Sequence, residues 1–417
     1  MYEVGIVGGG ISALHLGLKL LAEGASATIL HPQPADRIAG GRLMNSVIHQ
    51  ADTVRREDEI GISFWDGPDV RRSHGHDHGL NIPGLEPMRF WGSFEESGRG
   101  VDYRLMLPRL MEAFAERGGT LVDAAPTVAD LAALQRQFDL VAVGVGKSAA
   151  GFTGLFDELE DINVHDGPAR ALCCGLFDGV GANDPSGVAL GISPVAGELV
   201  VIPIHGADGP IYALLFENLP DGPTAELAEL DRDADPTGFD RRVLAALEEY
   251  WPHTFDRVDA DKFGLHDDRD LLQGRFRPVA RRSYAMGDTG TPVMAIGDLR
   301  VTVDPVTGAG ANLASFGAWT LAEQIVAHDG PFDEAFAASY EAAVMPRTEA
   351  TIGFNNLVLR PPDYFVGLLL EMAGNRSLCD EFTDGFCDPE HLWFDCVQDA
   401  ATAAAFAARH QGAVAAG

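Results

Sequence analysis

The stretch VGIVGGGISALHLGLKLLAEGASATILHPQ, residues 4–33, decides the fold. A short apolar run ends in three glycines, apolar residues then recur at helical spacing, and a second apolar run follows a glycine turn. The pattern predicts a strand over 2–7, a helix from Ile11 to Ala22 and a second strand from Ala25 to Leu30. Two neighbouring strands joined by a crossover helix run parallel. Gly8, Gly10 and Ala13 occupy the Gly-x-Gly-x-x-Ala positions, with Ile11 and Ser12 between them. Glycines there let a pyrophosphate reach the N–H groups that open a helix, where the dipole favours negative charge. The carboxylate that ordinarily binds the adenosine ribose about twenty residues further on is missing. The second strand ends Ile29-Leu30-His31-Pro32, and His31 offers only a weaker contact.

Outward from this unit, residues 40–100 lose the helical period and gain glycine, proline, histidine and arginine, which predicts loops and short inserted strands. Helical spacing returns over Asp102 to Arg117, across Pro108, and Leu121-Val122 and Leu140 to Val143 read as further strands. Then RALCCGLFDGV, GVALGIS, GELVVIPI and PIYALLFEN, separated by glycine turns, predict an antiparallel sheet. A helix near Phe239 to Tyr250 precedes the strand PVMAIGD and a loop feeding a long helix. From Phe332 onward the pattern is helical, and DAATAAAFAARH reads as an amphipathic or frayed tail. The expected class is α/β. A discontinuous dinucleotide-binding domain takes 1–50, 100–168 and 283–330, a mainly antiparallel substrate domain takes 51–99 and 169–282, and a helical region takes 331–417.

Composition narrows the partners. Against 62 acidic residues stand 30 basic ones, of which only Lys19, Lys147 and Lys262 are lysines, giving a formal charge of −32. Such a surface repels nucleic acid and anionic lipid. Five scattered cysteines suit reduced thiols, and neither a signal peptide nor an apolar run of membrane-spanning length is visible, so a cytoplasmic location is expected. Gly146-Lys147-Ser148 invites a phosphate-loop reading, but position 141 is valine where that loop needs glycine. SHGHDHG, with His74, His76 and His78, reads as a solvated or pocket-edge loop. Cys379, Cys387, His391 and Cys396 lack paired metal-ligand spacing, so no metal is expected.

The second informative stretch is AIGDLRVTVDPVTGAGAN, residues 295–312. Asp298 closes a strand where its carboxylate can meet a ribitol hydroxyl. Beyond Pro305, residues Gly308, Gly310, Ala311 and Asn312 open a helix whose N–H groups suit the electron-rich edge of an isoalloxazine. Paired with the N-terminal glycines, this is a flavin signature, and FAD is the expected cofactor. No second strand-Gly-x-Gly-x-x-Gly-helix unit is present for a nicotinamide coenzyme, so reducing equivalents come from outside the chain.

Longer phrases carry a resemblance. PMRFWGSF, VDYRLMLPRLMEAFAERGG, RALCCGLFDGV, GDLRVTVDPVTGAGANLASFGAW and DEFTDGFCDPEHLW together resemble the FAD-dependent epoxidase component of the two-component styrene and indole monooxygenases. The resemblance implies a p-hydroxybenzoate-hydroxylase-like fold, with reduced FAD supplied by a separate NADH-dependent flavin reductase and O2 as co-substrate. A flavin C4a-hydroperoxide would then deliver one oxygen atom to a small styrene-like aromatic alkene. It places Arg42, Asn45, Val47 and His49 of GGRLMNSVIHQADTVRRE beside the flavin, adds Arg104 to the cofactor set, and puts His76 at a pocket position. Asn45, His49 and His76 are thus the candidates for positioning peroxide or substrate, and Arg42 the residue that compensates for His31. RRSHGHDHGLN replaces the family's tyrosine-rich segment, and Gly98 stands where styrene-type members have serine, which leaves indole and thioethers open as substrates. A monooxygenase of the same family recruited to a biosynthetic pathway is an alternative. A non-catalytic FAD-binding redox carrier is another, and the helical C-terminal part is the expected homodimer surface.

Overall fold

A computed structural model describes residues 2–146 and 151–411; Lys147 and Ser148 of the rejected phosphate loop lie outside them. Strand β1 (Glu3–Val7), helix α1 (Ile11–Ala22) and β2 (Ser26–Leu30) form the expected parallel pair, in the register Glu3↔Ser26 to Val7↔Leu30. Every residue of α1 from Ile11 to Leu20 is buried, because the helix packs between its sheet and later helices. Lys19 satisfies its charge by reaching Glu23 and Glu59 at the helix end.

After α2 (Ala35–Ala39) the chain forms β3 (Ile48–His49), α3 (Ala51–Glu59), β4 (Arg72–Leu80) and β5 (Met88–Gly100). The loops and short strands expected over 40–100 are replaced by a helix and a long β4–β5 hairpin, and the histidine-rich SHGHDHG is the body of β4. The reason is chemical. The buried face of β4 is lined by imidazoles: His76 meets Phe94 edge-on at 4.9 Å, and His78 stacks on Phe90 at 4.9 Å.

Helix α4 (Tyr103–Glu116), capped by Asp102, leads to β6 (Thr120–Val122), α5 (Leu131–Gln137) and β7 (Leu140–Val143). There follow β8 (Ala171–Asp178), β9 (Val188–Ser193), β10 (Gly197–Gly206), β11 (Gly209–Asn218), α6 (Pro236–Tyr250) and α7 (Pro252–Phe255). Short strands β12 (Gly264–Leu265), β13 (Leu271–Gly274), β14 (Val279–Ala280), β15 (Tyr284–Met286), β16 (Pro292–Ala295) and β17 (Val301–Thr302) precede α8 (Gly310–Ala327). One sheet has the order β15-β16-β7-β1-β2-β6 and is parallel except at β15. The other runs β12-β8-β11-β10-β9-β4-β5-β3, with β13 beside β8, and is antiparallel except where β4 meets β9.

The last quarter is helical: α9 (Glu334–Leu359), α10 (Asp363–Met372), α11 (Arg376–Asp384), α12 (Pro389–His391), a π-helical turn over Leu392–Val397 and α13 (Ala400–His410). Asp333, Asn375 and Asp399 cap α9, α11 and α13 with their side chains. The alanine-rich tail is amphipathic, burying Ala403, Phe406 and Ala407. Among the described residues all five cysteines are free thiols, and no helix is long and apolar enough to cross a membrane.

Candidate active site

The glycine cluster leaves room where a ligand backbone would lie. Gly8 has φ +125°, and a Cβ there would stand 2.2 Å from the Gly144 carbonyl oxygen, so only glycine allows β1 and β7 to come this close. A Cβ at Gly10 would meet open space, and no side chain caps α1, which leaves its opening N–H groups to a ligand or water. Ile11, Ser12 and Ala13 are buried, with Ser12 wedged against Gly297, which has φ +61°. His31 lies on the other side of the turn, where its ring would be 2.4 Å from a Cβ on Gly9. Burial pulls its imidazole below the usual value, against the opposing charge of Asp123.

A second open helix start lies at α8, which packs against α1. Asp304 caps the turn Pro305–Thr307, Gly308 follows at φ +62°, and α8 begins without a side-chain cap. Asn355 fixes this loop through Asp304 O at 2.8 Å and Thr307 Oγ1 at 3.1 Å. Asn312, placed by its motif in the cofactor set, has a buried side chain whose amide is engaged by protein. Its Oδ1 accepts from Gln50 N at 3.0 Å and Thr53 Oγ1 at 2.8 Å, and its Nδ2 donates to Ile48 O and Gly308 O.

Between this loop and the larger sheet lies a cavity of about 430 Å³. Its loop side carries Asn45, Val47, Asp298, Pro305, Gly308 and Ala311, with Gly310 beside them. Its sheet side carries a cross-strand row, Leu190, Val200, Leu215, Cys174 and Leu272, in register across β9, β10, β11, β8 and β13, flanked by Leu172, Ile202 and Gln273. His76 and its partner Val188 extend the wall, and Phe94 and Phe386 close it. Inward-pointing positions of the strands make this wall. Their alternation is visible in the sequence, but which face meets the Pro305–Gly308 loop depends on register.

The electrostatics of the wall are mostly silent. Burial among aromatic rings, and then His78, hold the His76 imidazole far below its ordinary value, so it is neutral, and its Nδ1 has no protein partner. Burial pushes the Cys174 thiol up to about 11, with Ser46 Oγ 3.0 Å from its sulfur. Asn45 Oδ1 is buried without a partner at the loop side. The N–H donors of two uncapped helix starts, open glycine faces at Gly10 and Gly308 and one orphaned acceptor on Asn45 together fit FAD.

His49 stands behind the wall. It is 1% exposed, donates from Nδ1 to Glu57 Oε1 at 2.6 Å and accepts at Nε2 from the Tyr103 hydroxyl at 2.8 Å, the tautomer this pairing requires. Burial raises the Glu57 carboxyl, but His49 and His15 outweigh it and bring the carboxyl well below its usual range; Arg99 pairs with the other oxygen. His49 reaches the cavity only through Tyr103, which contacts Asn45. The residues 57, 99 and 103 of this network escaped the sequence reading, since nothing in their spacing signals that they meet. Arg42 is exposed on the loop before β3, and Arg104 is held by Asp102 at 2.5 Å and Asp270 at 2.6 Å. Glu381, His391 and Cys396, from neighbouring C-terminal helices, place one ligand atom each within 4.8 Å of one another. Arg409 already donates to Glu381 at 3.0 Å and lies 3.8 Å from the Cys396 sulfur.

Comparison with known proteins adds a lineage to this geometry. Residues 146–257 match the family model "Styrene monooxygenase A putative substrate binding domain". Styrene monooxygenase StyA from Pseudomonas sp and that from Pseudomonas fluorescens are each 36% identical over 398 residues, covering 94% of this chain and 94% of each relative. Among solved structures, the flavin-dependent brominase Bmp2 superposes with a TM-score of 0.68 at 13% identity, over 99% of this chain and 98% of its own. The tetrameric form of 2-methyl-3-hydroxypyridine-5-carboxylic acid oxygenase gives 0.59 at 14% identity, over 94% and 96%. These likenesses carry the fold, which is of the p-hydroxybenzoate hydroxylase type. With identity of that extent to the StyA proteins over nearly the whole chain, the chain belongs to the styrene monooxygenase family and is an FAD-dependent monooxygenase.

Proposed function

We propose that the chain epoxidises styrene-like aromatic alkenes, using reduced FAD from a separate NADH-dependent reductase and O2. The observation that carries this reading is the apolar cross-strand row from Leu190 to Leu272 facing the flavin loop in one cavity. When bound, the reduced flavin supplies the activated oxygen, so the protein's work is to bind, orient and exclude water. Gly8, Gly10, Ile11, Ser12 and Ala13 hold the pyrophosphate, Arg42 the adenosine end, and Asp298 the polyol. Gly308, Gly310 and Ala311 set the opening N–H groups of α8 against the electron-rich ring edge. The aliphatic row holds the arene and keeps water out.

Two wall residues suit this chemistry by what they do not do. Neutral His76 lines the cavity without acting as a strong acid. Cys174 remains a thiol at neutral pH because burial lifts it to about 11, so the wall is not nucleophilic toward an epoxide. Asn45, linked through Tyr103 to His49, positions the loop side.

The test combines the purified chain with a flavin reductase, FAD, NADH, oxygen and styrene. Styrene oxide is the expected product. Hydrogen peroxide without epoxide from styrene, indene or indole overturns the reading. Flavin that survives dialysis as a yellow protein points instead to a redox carrier.

A further inference from the structure

Phe386 follows α11 on a short turn, its N–H bonded to Thr383 O at 3.2 Å. Its ring meets His76 edge-on at 4.5 Å, Phe354 at 5.1 Å and Phe382 at 5.8 Å. Beside the main cavity is a second, smaller one of about 50 Å³, enclosed by Ile192, Phe354, Val358, Phe365, Leu369 and Phe382. The two cavities share Leu190, Val200, Val306, Thr307 and Phe386 in their walls. The first four are short side chains held by strand pairing or by the flavin loop. Only Phe386 contributes a ring to the divide, and it comes from the C-terminal helices.

We propose that Phe386 is a specificity-determining partition: it shuts off a small annex that would otherwise take a second apolar group on the substrate, such as an aryl ring. This rests on the reading of the main cavity as the arylalkene site. With the ring in place the cavity takes single-ring alkenes; with it removed the annex joins the site. The lining of the annex sets the class of group it takes. Glu198 is bound by Arg170 at 2.8 and 2.9 Å, and His78 is engaged by Thr383 and stacked on Phe90, so a charged or hydroxylated extension would lose its water without gaining a partner.

The experiment measures kcat/KM for styrene and for 4-phenylstyrene in the wild type, Phe386→Ala, Phe386→Leu and Val358→Ala, each with reductase, FAD, NADH and oxygen. The ratio of 4-phenylstyrene to styrene rises at least about tenfold in Phe386→Ala and by less in Phe386→Leu, and stays within about twofold in Val358→Ala, which deepens the annex without opening it. A general loss of fold lowers both substrates together and leaves the ratio unmoved. Should Phe386→Ala fail to fold, Phe386→Leu and its binding of unreactive 4-ethylbiphenyl, read by tryptophan fluorescence, decide the question. An unchanged ratio in Phe386→Ala that melts as the wild type does, or an equal rise in Val358→Ala, overturns the partition. Absence of epoxide from styrene with the wild type would instead overturn the proposed function.

Discussion

His78 gives the molecule a pH signature. Burial holds its imidazole near 4 in the folded chain, whereas the value in an unfolded chain stays near 6.5. The unfolded state therefore takes up the proton first as pH falls from 6.5 to 4, and stability present above that window is lost within it. The shift of His78 alone amounts to about 3 kcal/mol, and His76 moves in the same direction. His78→Phe keeps the stack on Phe90 and removes one titration, so its melting temperature falls less than that of the wild type between pH 7 and 4.5. Equal losses in the two proteins would count against this account. At Gly8, alanine would need both a left-handed backbone and space filled by the Gly144 carbonyl. Gly8→Ala costs roughly 1–3 kcal/mol or more in thermal melts and weakens FAD binding in fluorescence titrations. His31→Glu restores the absent ribose acid and tightens oxidised FAD by about tenfold, the worth of one charged hydrogen bond; an unchanged Kd would show that the missing acid does not set flavin affinity.

At the level of elements, Asn312 ties α8 to β3 and α3 through three hydrogen bonds and holds its own loop through a fourth, to Gly308 O. Asn312→Ala leaves buried backbone groups unpaired and lowers stability by about 3 kcal/mol. A variant that melts with the wild type but has lost FAD affinity would instead restore Asn312 to direct cofactor contact. The β1–α1–β2 unit, α4 and the four strands from Ala171 to Asn218 were legible because aliphatic periodicity or glycine turns announce them. β4 was not, because its buried face is histidine, and the period-2 signal is sought in aliphatic residues. The flavin-side glycines were legible for the same local reason as the first unit. The apolar cavity wall was not, since the row from Leu190 to Leu272 exists only after five strands have been set in register. His49 shows the limit of position alone: it lies two residues from cavity-lining Val47, yet its ring faces Glu57 and Tyr103 behind the wall.

Across the whole molecule a formal charge of −32 sets up self-repulsion that ions relieve. Raising sodium chloride from about 0.01 to 0.15 M shortens the Debye length from about 30 to 8 Å and raises the melting temperature. A fall would show that local ion pairs outweigh net charge. Both sheets are assembled from distant parts of the chain. β7 pairs with β16, and β4 pairs with β9. Expressed alone, residues 1–168 leave the aliphatic edge of β7 without β16 and are expected in the insoluble fraction, whereas the whole chain is not. The order of synthesis gives β4 a further constraint. More than a hundred residues separate β4 from β9, so on the ribosome its outer edge waits roughly ten seconds for a partner at ordinary elongation rates. An aliphatic strand left open that long invites aggregation. RSHGHDHGL does not, because its imidazoles and charges are comfortable in water until β9 arrives. The composition that disguises this strand is what lets a nascent chain hold it in reserve.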